Sequence, residues 1–137
     1  MGSLYDITCE RCPAVMSVSE GYGFRNVHSN FEYLFLNILT TPERKSLSET
    51  LPEGFDSRVS KVNWSRKAVT CATCSRLESR THWSITLAGG ETYEREMLCS
   101  CGGLQAFIHL HPHAKIKANC PSCGEETLKA TLSGMWD

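Results

Sequence analysis

Cys99-Ser-Cys101-Gly-Gly103 and, further on, Cys120-Pro-Ser-Cys123-Gly124 decide the architecture. Eighteen residues separate Cys101 from Cys120, inside the gap of roughly 15–20 at which two cysteine pairs read as metal ligands. A tight turn between paired cysteines aims two thiolates at one tetrahedral ion, and for zinc the metal–sulfur distance is ~2.3 Å. Two such turns complete a four-sulfur shell. Toward the N-terminus, Cys9/Cys12 and Cys71/Cys74 repeat the CxxC spacing, so all eight cysteines fall into four close pairs.

A disulfide framework would produce paired cysteines too, but it belongs to oxidising compartments. Met1–Glu10 has no cationic start followed by an apolar run, which predicts a cytoplasmic chain with reduced thiols. A thioredoxin-type redox pair needs a βαβ setting, which neither Cys9-Glu-Arg-Cys12 nor Cys71-Ala-Thr-Cys74 has. The expected cofactor is therefore zinc, two ions per chain. Taken in chain order, Cys9, Cys12, Cys71 and Cys74 form one site, and Cys99, Cys101, Cys120 and Cys123 the other. Interleaved pairing satisfies the same count.

The segment from Cys99 to Gly124 resembles a zinc ribbon, and Cys120-Pro-Ser-Cys123-Gly124 is similar to the second knuckle of rubredoxins. The resemblance covers about a fifth of the chain. It implies a β-rich scaffold held over metal knuckles, and for a rubredoxin-like iron site it implies electron transfer. Elsewhere the pattern departs from it: the CxC at Cys99/Cys101 is one residue short of a usual knuckle, and fifty-eight residues separate Cys12 from Cys71.

Around the cysteines the periodicity is that of strands. Ser3–Thr8 and Ala14–Ser19 flank the first pair, and Gly21-Tyr-Gly23-Phe is turn chemistry. Ser29 and Glu32 have capping-box spacing, and Phe31, Leu34, Phe35, Ile38 and Leu39 follow on one helical face. Thr41-Pro42 starts a second short helix carrying Leu47 and Leu51, and residues 52–66 read as a linker. Thr81, Trp83, Ile85 and Leu87 alternate into a Gly89-Gly90 hairpin that returns through Glu91–Cys99. Leu104, Ala106, Ile108 and Leu110 alternate again and turn at His111-Pro-His113 into Ala114, Ile116 and Ala118, predicting a second hairpin. The fold class is α+β, a β-rich zinc-ribbon scaffold. A single unit over residues 1–137 is expected, with a helical insertion at about 28–51 and a C-terminal ribbon at about 97–132.

The 14 basic and 15 acidic side chains nearly cancel, so no global field draws the chain to nucleic acid or an anionic membrane. Locally they segregate, with six Lys/Arg against one acid in residues 57–80. Arg58, Lys61, Trp64, Arg66, Lys67, Arg76 and Arg80, with His82 and Trp83, combine charge and aromatics as single-strand binders do. Trp83 is equally in register with a buried strand face. His109, His111 and His113 lie two apart, but Pro112 breaks the strand that would align them, which predicts three exposed rings on a hairpin tip.

No apolar run reaches the roughly 18 residues of a membrane span. HExxH, GxSxG and P-loop patterns are missing, and four-cysteine shells leave no open position for substrate. No catalytic residue is assigned. The expected role is a non-catalytic module that binds a protein partner within a nucleic-acid-processing assembly, the apolar positions at 31–39 offering one contact face. The alternatives are direct nucleic-acid binding through residues 58–83 and rubredoxin-like electron transfer.

Overall fold

The computed structural model describes residues 2–21 and 30–136. Among them seven strands build one sheet: β1 (Gly2–Cys9), β2 (Val15–Gly21), β3 (Lys61–Cys71), β4 (Leu77–Thr86), β5 (Thr92–Glu94), β6 (Gln105–Ile108) and β7 (Leu128–Trp136). The order is β5-β4-β3-β2-β1-β7, with β6 paired to β3. The described strand pairings are antiparallel, as short connections require.

The described residues group into two compact units. One holds the described residues of 1–25, 65–82 and 96–137, the other those of 26–64 and 83–95. Each has its own core. In the first, Tyr5, Ile7, Val18, Ala68, Leu77, Leu128 and Ala130 are buried together with Leu110, Ile116, Ala118 and Cys120. In the second, Leu34, Leu39, Leu47, Val62, Trp64, Trp83 and Ile85 pack together. Burying an aliphatic or aromatic side chain of this size contributes about 1.5–3 kcal/mol.

The helical insertion belongs to the second unit. Its first helix, α1 (Phe31–Tyr33), continues as a π-turn over Leu34–Ile38, with the Leu39 amide bonding back to the Leu34 carbonyl at 3.0 Å. The expected Ser29 cap lies outside the described residues; Asn30 is the observed cap, its side chain accepting from the Tyr33 amide at 2.8 Å. The second helix, α2 (Thr41–Thr50), opens on a complete capping box. Thr40 accepts from the Glu43 amide at 3.4 Å, and the Glu43 carboxylate accepts from the Thr40 amide at 2.8 Å. Glu43 also takes two hydrogen bonds from Arg95, at 2.6 and 2.8 Å.

Three sequence expectations shift. The linker read over 52–66 ends early, because β3 begins at Lys61 and buries Val62 and Trp64. The hairpin expected between Leu104 and Ala118 does not form: β6 pairs with β3, from Ala68↔Ile108 to Cys71↔Gln105. Pro112 and the left-handed His113 (φ 64°) turn the chain away, and His113 and Ile116 then donate to Ala130 and Leu128. Those acceptors lie on β7, which the sequence reading left out. Finally, the apolar face at 31–39 is occupied inside its own unit: Leu34 and Leu39 are buried, and Phe31, Phe35 and Ile38 pack against the same cluster.

Candidate metal centres

Each cysteine pair sits on a turn closed by backbone hydrogen bonds. Cys9 donates to Ala14, Cys71 to Arg76 and Cys120 to Glu125, at 3.2, 3.0 and 2.9 Å, so every CxxC pair occupies the tip of a reversing chain. The CxC pair makes a shorter reversal, with Cys99 donating to Gly103 at 2.9 Å between the bridged residues Leu98 and Leu104. The residue after the second cysteine is left-handed in three of the four turns: Ser75 (φ 58°), Gly102 (φ 88°) and Gly124 (φ 77°). That conformation suits glycine and strains serine.

The turns meet in two quartets, and the pairing differs from chain order. Cys9 and Cys12 join Cys120 and Cys123, while Cys71 and Cys74 join Cys99 and Cys101, with the sulfurs of each group all within 4.8 Å of one another. The cause is the sheet. Strand β1 pairs with β7 as well as β2, and the Cys9↔Leu128 register carries the first turn to the one that precedes β7. The β3–β6 register places Cys71 opposite Gln105 and so brings the second turn to the third.

Sulfur separations are those of a tetrahedral shell. A metal–sulfur distance of ~2.3 Å puts tetrahedral sulfurs about 3.8 Å apart. Cys9–Cys123 and Cys12–Cys120 are 3.6 Å apart, Cys74–Cys99 is 3.6 Å and Cys71–Cys101 is 3.4 Å. Each quartet has a buried side, Cys120 in one and Cys71 and Cys99 in the other, and an exposed one, Cys123 or Cys74 and Cys101. Both quartets can hold a metal ion.

Amide and hydroxyl donors converge on the sulfurs and favour thiolate. Arg11 donates to Cys9 at 3.3 Å, Thr73 and Cys74 to Cys71 at 3.4 Å each, and Gly103 to Cys101 at 3.4 Å. The Thr127 hydroxyl lies 3.0 Å from the Cys9 sulfur. In the metal-free chain that contact, with the Arg11 and Cys12 amides and the Cys123 thiol, brings Cys9 down to about 6. Cys71 likewise falls to about 6, led by the Cys74 amide. Their neighbours go the other way: although the Ala14 and Arg76 amides oppose it, burial and the adjacent sulfurs push Cys12 and Cys74 up to about 12. Four thiolates cannot crowd together without a cation to share them.

Three residues complete these centres that the sequence reading did not single out. Thr127 is one. Gly103 is the second, because a Cβ there would stand 2.6 Å from both the Cys71 sulfur and the Thr73 hydroxyl. Ser100 is the third, accepting from Arg76 at 3.4 Å and linking the two turns of its quartet. Only the repeated glycine after Cys101 signalled one of them.

The basic and aromatic stretch is divided between the two units. Arg58 pairs with Asp56 at 3.0 Å, Lys61 is exposed, and Trp64 is buried and stacked on Tyr33. These three lie in the second unit. In the first, Arg66 donates to Ser79 at 3.3 Å, and Arg80 donates to the Leu98 carbonyl at 2.9 Å. Arg66 and Lys67 line one cleft together. His109, His111 and His113 are exposed, and none belongs to a metal-ligand cluster among the described residues. No described helix is long and apolar enough to cross a membrane. No family model, curated protein or solved structure matches the chain.

Proposed function

We propose that the chain is a non-catalytic binding module whose first unit is held together by two structural zinc ions. The observation that carries this reading is the closure of eight cysteines into two quartets with sulfur separations of 3.4–3.6 Å. Thiolate tetrahedra select zinc or iron among biological metals. A four-sulfur shell leaves no site for substrate or activated water, which supports a structural role. The metals tie together strands distant in sequence, so metal-binding energy becomes folding energy. With the helical face occupied by its own core, contact with a protein partner is assigned to the sheet, where Val15, Leu132 and Met135 are exposed.

Iron in the same tetrahedra is the second reading, favoured by the Cys9 quartet, which joins two CxxC turns as a rubredoxin-like site requires. Elemental analysis and a visible spectrum of reduced, untagged protein separate the two. Close to two zincs per chain and no colour is the expected result. Iron with thiolate absorbance assigns electron transfer instead, and a stably folded chain without metal overturns both.

A further inference from the structure

A cleft of about 400 Å³ lies in the first unit where the edge of β3 changes partners. β2 meets β3 at Gly21↔Arg66, and two residues later β6 takes over at Ala68↔Ile108. The two strands part around Lys67, and the gap between them is the cleft. Its walls include Arg66, Lys67, Phe107, His109, Glu20 and Ser3.

The placement of charge and ring is specific. Lys67 and Val69 project from the same side of β3, and Phe107 stands opposite Val69. Alternation therefore sets the Lys67 ammonium and the Phe107 ring on one side of the sheet. Phe107 is 48% exposed, large for an aromatic ring. It is also held in place, with His82 packed edge-on at 5.0 Å and 73°. Among the described residues lining the cleft, Arg66 and Lys67 stand against one carboxylate, Glu20, and the exposed His109 adds a ring nitrogen. Ligand sites commonly occupy roughly 300–1,000 Å³ and combine apolar walls with a few convergent polar groups.

We propose that this cleft binds one nucleotide unit, with the phosphate on Lys67 and the base stacked on Phe107. The chemistry is shared by a free nucleotide and by a residue of a single strand, where stacking and phosphate attraction act together. The site does not depend on which metal fills the quartets, and metal content measured on the same samples tests the two readings apart.

The experiment titrates the full chain with AMP and with a short oligothymidylate, at two salt concentrations, beside the Lys67→Glu/Phe107→Ala double variant. Both substituted side chains lie outside the two cores, so the variant should keep its metal and circular dichroism. A variant that loses them is replaced by Phe107→Ala alone. Loss of one stacked base and one phosphate contact should weaken binding at least tenfold. Binding of the strand well above that of AMP, with a salt slope about 0.7 shallower in the variant, assigns a single-strand source. Equal binding of AMP assigns a free nucleotide. Failure of both probes to bind at low salt, or binding that the folded variant retains, overturns the proposal.

Discussion

Replacing Gly103 by alanine adds one methyl group at the most crowded point of the Cys71 quartet. The new Cβ would lie 2.6 Å from the Cys71 sulfur, 2.6 Å from the Thr73 hydroxyl and 2.8 Å from the Thr73 Cβ. Ordinary contact begins at 3.4 Å, so the sulfur must retreat by about 0.8 Å. Metal–ligand distances tolerate about 0.2 Å. The sulfur is not free to retreat, since it accepts from the Thr73 and Cys74 amides. Overpacking of this kind costs about 1–3 kcal/mol, which corresponds to roughly 5- to 150-fold weaker zinc binding at this quartet alone. Chelator competition against a zinc indicator should find two sites in the parent and one of them weakened in Gly103→Ala. Adding Thr73→Gly removes the threonine contacts but not the sulfur contact, and should leave the defect in place. Parental affinity at both sites in Gly103→Ala would refute the assignment of the clash to the metal ligand.

Ser75 holds the left-handed slot that glycine fills at Gly124. Ser75→Gly should therefore stabilise the protein by about 1 kcal/mol, read as a raised Tm, and Gly124→Ala should destabilise it by a similar amount. Glu43→Gln removes the carboxylate that closes the α2 cap and receives Arg95, a side chain only 10% exposed; about 2 kcal/mol should be lost in urea unfolding. Burial raises the Glu43 carboxyl, but the Arg95 hydrogen bonds and the Thr40 amide outweigh it and hold the group below the usual carboxylate range. A lowered acid stabilises the fold above its unfolded pKa, so this contribution should disappear as pH falls through the folded value, and Glu43→Gln should flatten that part of the stability profile. Zinc loading of the reduced apoprotein at neutral pH should release protons, because Cys12 and Cys74 sit near 12. Below about 6, where Cys9 and Cys71 also protonate, zinc affinity should fall more steeply.

Ligand chemistry was legible because it is local. A CxxC pair announces its turn from four consecutive residues, and Trp83, Ile85 and the Gly89-Gly90 hairpin announce themselves by alternation. Which turns share a metal is a property of the sheet, set by the β1–β7 pairing between residues at opposite ends of the chain. The clue was β7 itself: Leu128 and Ala130 are both buried and alternate with Lys129 and Thr131. Reading that strand would have placed the last turn beside the first. How the basic side chains are engaged was not legible, for a different reason. Composition counts charges along the chain, whereas Arg58, Trp64 and Arg80 each have a structural partner that composition does not reveal.

The same topology makes the two quartets unequal in assembly. In the Cys71 quartet the facing pair Cys74 and Cys99 are 25 residues apart, whereas Cys12 and Cys120 in the other are 108 apart. Closure probability falls as about the three-halves power of loop length, which gives the shorter loop an advantage of about ninefold. The Cys71 quartet also needs only the neighbouring strands β4, β3 and β6, while the Cys9 quartet needs β1 docked against β7. Refolding in the presence of cobalt should resolve the two, with thiolate absorbance as the signal. The Cys12→Ser variant, which keeps the Cys71 quartet, should develop its spectrum about ninefold faster than Cys74→Ser, which keeps the other. Equal rates would mean that both quartets wait on a common step, namely formation of the sheet, and that the metals report on folding without directing it.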